Sequence, residues 1–241
     1  MSAVWVYAVT DRYVPVDVSG VHDAPVRPIR RGPLTAAVSS VPLAEFGLEP
    51  LRRNMSELTW LEPVARAHHR VVARLAGTVV PLRLASVYRD DAGVAALLAE
   101  RADELTTALR RVAGCTEWGV KAYAPAAPPA PAEAATADSP GVAYLARRRA
   151  ERTARDRARS AAVELADRVD TTLRRLATAH RRHEVRDAWP GAAAPVLSAS
   201  YLVADTRRVE FTDAVAALAA TGRVDLTGPW PPYSFAGLEQ T

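Results

Sequence analysis

Residues 60–124 constrain the fold more tightly than any other part of this chain. The stretch carries two helical stripes and two strand signals in alternation, with each helical stripe closed by a glycine. Leu58, Leu61, Val64, His68, Val71, Val72 and Leu75 recur every three or four residues, which is one buried helix face. Ser56 is the expected N-cap, Pro63 falls in the first turns, and Gly77 is the stop. Residues 79–84 then read as a short strand. From Asp90 or Asp91 a second long helix is expected, with Val94, Leu97, Leu98, Leu105, Leu109 and Val112 inward and Gly114 closing it. The next segment, 117–124 (E-W-G-V-K-A-Y-A), is a strand that begins a new unit.

Upstream, residues 4–10 (V-W-V-Y-A-V-T) and 34–41 (L-T-A-A-V-S-S-V) read as strands. The segment between them, with Gly20, Pro25 and Pro28, reads as a loop. Downstream, a long helix is expected from Gly141 to about His180, with Val163, Ala166, Val169, Leu173 and Leu176 inward. A weak strand at 184–189, a strong one at 196–204, a short helix with Phe211, Val215 and Leu218 inward, and a last strand at 223–227 complete the order. That order is β-α-β-β-α-β, the ferredoxin-like pattern. The expected fold class is therefore α+β in two domains. Residues 1–115 form a mixed α/β domain, and residues 116–241 form a ferredoxin-like domain. The Pro/Ala-rich segment 125–140 is an exposed loop inside the second domain, between a strand and its helix.

A chain of 241 residues with 49% hydrophobic and 24% charged residues can bury a real core. The single cysteine, Cys115, excludes an intramolecular disulfide. No signal-peptide pattern opens the chain, and no apolar run reaches the roughly 18–20 residues a bilayer requires. A soluble protein of a reducing, intracellular compartment is expected. The net charge of +4 is nearly all arginine, since Lys121 is the one lysine.

The candidates for chemistry are few. His68 and His69 are adjacent, so on a helix they diverge by about 100° and do not share an ion. His68 sits on the apolar stripe as a core histidine and His69 lies outside it. His180 and His183, with Glu184, sit near an expected helix end, where basic side chains also suit the helix dipole. Cys115 has no evident base beside it. No glycine-rich phosphate loop, nucleophile elbow or H-E-x-x-H motif occurs. No catalytic, cofactor-binding or metal-binding residue is expected. Seven arginines against two acids occupy 147–159, which reads as a solvated face or as a surface that docks an acidic protein. Base-stacking aromatics are missing from that run, which argues against single-stranded nucleic acid. The expected partner-binding residues are Arg147, Arg148 and Arg155, together with Trp230, Tyr233 and Phe235 of the Pro-rich tail. That tail reads as docked core or as a binding surface.

Taken in order, V-W-V-Y-A-V, A-A-V-S-S-V, W-L-E-P-V-A-R-A-H-H-R-V-V, V-V-P-L-R-L-A-S-V-Y, E-W-G-V-K-A-Y-A, V-L-S-A-S-Y-L-V and L-T-G-P-W-P-P-Y-S-F resemble the gas vesicle protein family F/L (GvpF/GvpL) along nearly the whole chain. The family pattern after P-L-R is usually aromatic-Gly-Thr. Leu84-Ala85-Ser86 departs from it but keeps a small residue at the turn. The resemblance implies an accessory or minor structural protein that is not an enzyme and acts in the cytoplasm at the gas vesicle. Its implied partners are the main shell protein and other gas vesicle accessory proteins, with no cofactor, nucleic acid or membrane. It would assist nucleation or assembly of the wall by limiting shell-protein aggregation. Two other readings stand beside it: a small-molecule-binding or catalytic ferredoxin-like module, and a nucleic-acid-binding module using the arginine helix.

Overall fold

The computed structural model describes residues 1–13, 15–124, 140–184, 194–220 and 222–237. The chain divides into two units, one of Met1–Glu117 with Pro229–Thr241, the other of Trp118–Gly228. The first unit is thus discontinuous. The expected boundary at 115/116 lies two residues from the observed break, but the expected second domain ran on to 241. The described residues 229–237 group with the first unit instead.

The first unit opens with β1 (Ser2–Thr10), β2 (Arg27–Arg31) and β3 (Leu34–Pro42). Three helices follow, α1 (Leu43–Phe46), α2 (Leu48–Asn54) and α3 (Leu58–Arg74). Then come β4 (Val79–Pro81), β5 (Val87–Tyr88), α4 (Asp91–Glu100), α5 (Ala102–Val112) and the start of β6 (Cys115–Ala122). The sheet runs β2-β3-β1-β4, with β5 also on β1. All these pairings are antiparallel. Strand β1 is buried from Ala3 to Thr10, as its nearly unbroken apolar run predicts. The inward residues of α3, Val64, His68, Val71 and Val72, lie where the stripe places them.

Four expectations here need correcting. The presumed loop at 27–31 is strand β2. It is an edge strand, where Pro28 is tolerated, and R-P-I-R-R buries Ile29 between exposed neighbours. Ser56 does not cap α3. Glu57 holds that position, and Ser56 Oγ donates to the Arg53 carbonyl at 2.6 Å. The strand expected at 79–84 stops at Pro81, and Ala85 turns the chain with φ 68° before β5. The single helix expected after Asp90 is two helices. Arg101 leaves the helical region (φ −107°, ψ 23°), and the apolar stripe passes through the one-residue break. Asp90 does cap α4, accepting from the Gly93 N–H at 2.9 Å.

The second unit takes the rest of β6, then α6 (Pro140–Arg174), β7 (Ala179–Arg182), β8 (Leu197–Ala204), α7 (Arg208–Ala219) and most of β9 (Val224–Trp230). Its sheet order is β7-β8-β6-β9. Strand β8 lies directly beside β6, so the β6-α6-β7 crossover is split, which is the ferredoxin-like arrangement. Trp118, Val120, Leu165, Val169, Leu173, Tyr201 and Phe211 lead its core. Helix α6 ends six residues before His180. Thr178 N–H already bonds the Leu202 carbonyl at 2.8 Å, so the chain has joined the sheet by then. The expected strand at 184–189 and the loop at 125–140 fall, but for Glu184 and Pro140, outside the described residues. Val163, expected inward, is 55% exposed. Among the described residues no helix is long and apolar enough to cross a membrane.

Candidate partner-binding surfaces

The tail docks on the first unit through a carboxylate. Glu117, at the start of β6, is buried, and it accepts from the Ser234 N–H at 2.8 Å and from Ser234 Oγ at 2.5 Å. Together the two bonds seat the short helical turn Tyr233–Phe235. Tyr233 then lies against His68 and His69, with ring centroids 6.4 and 6.2 Å apart, and Trp230 meets His69 edge-on at 5.2 Å. Burial, and secondarily the Glu117 charge, pushes the Tyr233 hydroxyl well above its ordinary range. Phe235 is 8% exposed, whereas Trp230 and Tyr233 are 40% and 36% exposed. Of the three predicted tail residues, Phe235 is a packing residue, and Trp230 and Tyr233 each present an edge. His69 is half-buried beneath them rather than free on the surface.

His68 is the buried member of the histidine pair. An indole N–H only donates, so the 3.0 Å bond from Trp5 Nε1 fixes His68 Nδ1 as an acceptor and puts the ring proton on Nε2. Nε2 finds no hydrogen-bond partner among the described residues. Burial lowers the pKa of this ring to about 4. The ring is neutral at pH 7 and serves the core. His180 and His183 lie on and just after β7 rather than at a helix end, and His183 Nε2 is 2.9 Å from Ser200 Oγ. Among the described residues no group of three or more His, Cys, Asp or Glu is placed to hold a metal ion. Cys115 is half-buried at the first position of β6.

The predicted arginines all lie on the first half of α6 and are all exposed. Arg147 pairs loosely with Glu151 at 3.9 Å. Arg148 Nε donates to the Tyr144 hydroxyl at 3.1 Å, and both Arg147 and Arg148 sit over the Tyr144 ring at 5.7 and 5.8 Å. Among the described residues, the helix contributes to the core of its unit from Leu165 onward. Leucine, alanine and arginine all favour helix, which suits this exposed stretch.

One arrangement escaped the sequence reading. Asp170, on the buried face of α6, takes the Tyr201 hydroxyl at 2.8 Å and Arg182 Nε at 3.0 Å. Arg182 also reaches Asp167 at 3.3 Å. An acid in an otherwise apolar stripe was the available signal. The contact ties α6 to β7 and β8, so its work is structural. Between α6 and α7 a groove of about 510 Å³ is lined by Arg168, Thr172, Ala214, Ala217 and Leu218.

The chain is a two-unit α+β protein, and its described polar clusters tie one element to another. Comparison with known proteins gives the family. Residues 3–237 match the family described as gas vesicle synthesis protein GvpL/GvpF. The chain is 41% identical to gas vesicle protein L of Streptomyces sp. (strain CB03234) over 98% of its length and 93% of that protein's. It is 30% identical to gas vesicle protein F of the same strain, over 92% of this chain and 93% of the relative. The crystal structure of GvpF from Anabaena sp. PCC7120 shares the fold at a TM-score of 0.70 and 17% identity, covering 100% of this chain and 98% of that one. The chain belongs to the GvpL/GvpF family, and its role lies in gas vesicle formation.

Proposed function

We propose that this chain acts without catalysis. It would hold the main gas vesicle shell protein, and other accessory proteins with it, so that shell subunits stay soluble until they enter the growing wall. The observation that carries this is the family match from residue 3 to residue 237, which spans both units. The physics supports it. A shell protein that is apolar on its gas side exposes patches and strand edges that aggregate, and covering them raises the soluble pool. The contact residues assigned to the role are Arg147, Arg148 and Arg155 on α6 and, separately, the exposed edges of Trp230 and Tyr233. The site of action is the gas vesicle as it forms in the cytoplasm.

Co-expression with the shell protein tests the reading. The soluble fraction of shell protein should rise, and the two should co-purify at low salt. Unchanged shell-protein solubility together with no recovered complex would overturn it.

A further inference from the structure

Helix α6 separates into a packed half and a bare one, and the bare half carries an ordered charge pattern. At about 100° per residue, Arg148, Arg152, Arg155 and Arg159 fall within roughly 60° of one another, in a line about 17 Å long. All four are exposed. Tyr144 continues the same line at its N-terminal end and is exposed as well. The two acids of the region, Glu151 and Asp156, lie off to either side. Glu151 pairs with Arg147, at 3.9 Å, which lies outside the line. Arg148 and Arg152, and Arg155 and Arg159, are like charges at i,i+4, an arrangement that weakens an isolated helix. The chain keeps this repulsion on a surface that, among the described residues, adds no side chain to its own core before Leu165.

A guanidinium binds a carboxylate through two parallel N–H bonds, so a row of four matches a row of carboxylates. We propose that this line docks an acidic helix of a partner protein, one carrying Glu or Asp at i, i+4, i+7 and i+11, with Tyr144 packing on its end. A second copy of this chain is a poor occupant, because its own net charge is +4. The proposal rests on the reading that the chain works by holding proteins. It does not depend on which gas vesicle protein is held.

The test uses the full chain and a synthetic helical peptide of 18 residues with four glutamates on one stripe. A second peptide of the same composition spreads them around the helix. Binding is read by fluorescence anisotropy at 50 and 300 mM salt, and an 18-bp DNA duplex serves as competitor. The striped peptide should bind at least ten-fold more tightly than the scattered one, and binding should weaken at the higher salt. The double variant Arg152→Glu/Arg155→Glu should lose at least ten-fold. Its new glutamates face Arg148 and Arg159 at i,i+4, so the helix is kept, which circular dichroism checks. Arg157→Glu, on the opposite side of the helix, should change affinity less than two-fold. Equal affinity for the two peptides, or an unchanged double variant, would overturn the proposal. So would a duplex that binds more tightly than the striped peptide, which would make the line a polynucleotide surface. Shell-protein solubility is not measured here, so failure of the stripe leaves the co-expression result to judge the broader function.

Discussion

The Trp5 indole donates to His68 Nδ1 at 3.0 Å, joining β1 to α3 across 63 residues of sequence. Phe46 and Tyr7 close around the pair, with Trp5–Phe46 and Tyr7–His68 centroids 5.7 and 5.4 Å apart. The bond satisfies a buried donor and fixes a tautomer, and it holds only while the imidazole is neutral.

Acid should therefore loosen the first unit. The native ring resists protonation down to about pH 4, whereas the unfolded ring takes a proton below its usual 6.5. Stability from this group is complete above pH 6.5 and is lost as pH falls towards 4, by about 3 kcal/mol in all. Urea unfolding at a series of pH values checks it. His68→Leu should cost roughly 1–3 kcal/mol at pH 7, because Trp5 Nε1 loses its acceptor, and should flatten the decline between pH 6.5 and 4.

The second unit should respond to Tyr201→Phe. The Tyr201 ring stays packed, but one oxygen of buried Asp170 loses its donor. The cost should be about 1–3 kcal/mol by chemical denaturation, with binding to partner proteins unchanged at temperatures below unfolding. Asp170→Ala should cost more, since it strands the Tyr201 hydroxyl and leaves Arg182 with Asp167 alone of its two carboxylates.

Truncation after Gly228 should destabilise the first unit and spare the second. It removes the Ser234 bonds to Glu117 and the buried Phe235. Hydrogen exchange should quicken in α3 and β1 while β8 and α7 keep their protection. Faster exchange confined to β8 and α7 would contradict the placement of the tail.

Gly20→Ala should be poorly tolerated although its φ of −84° suits any residue. A Cβ there would overlap the Tyr7 hydroxyl and come within 2.6 Å of Ser39 Oγ. The Tyr7 hydroxyl is also the acceptor for the Val21 N–H at 2.7 Å. A loss of about 1–3 kcal/mol is expected, read as a lower melting temperature with the far-ultraviolet spectrum retained.

Where periodicity is local, the fold could be read from the residues. The α3 stripe and the buried run of β1 are two such cases, and the elements β8 and α7 are a third. What escaped was decided elsewhere in space. R-P-I-R-R is a strand only because β3 offers it an edge. Nothing in W-P-P-Y-S-F names Glu117, 117 residues upstream of Ser234, as its anchor. Asp170 lies on an apolar stripe because two partners, Tyr201 and Arg182, arrive from other strands. Val163 matches the helical spacing yet lies outward, since the stripe continues past the point where packing begins. Of the candidate contact residues, the arginine run was legible both as charge and as a solvated face, and the point at Leu165 where α6 joins the core came with the structure.

The return of residues 229–237 to the first unit bears on how the protein is made. On the ribosome these residues emerge after all of the second unit, and domains fold largely in the order in which they appear. The first sheet can therefore assemble early, yet His68 and His69 stay uncovered, and Glu117 stays without Ser234, until translation has passed Phe235. The second unit folds between two parts of its neighbour, and closure of the first unit marks that both have been synthesised.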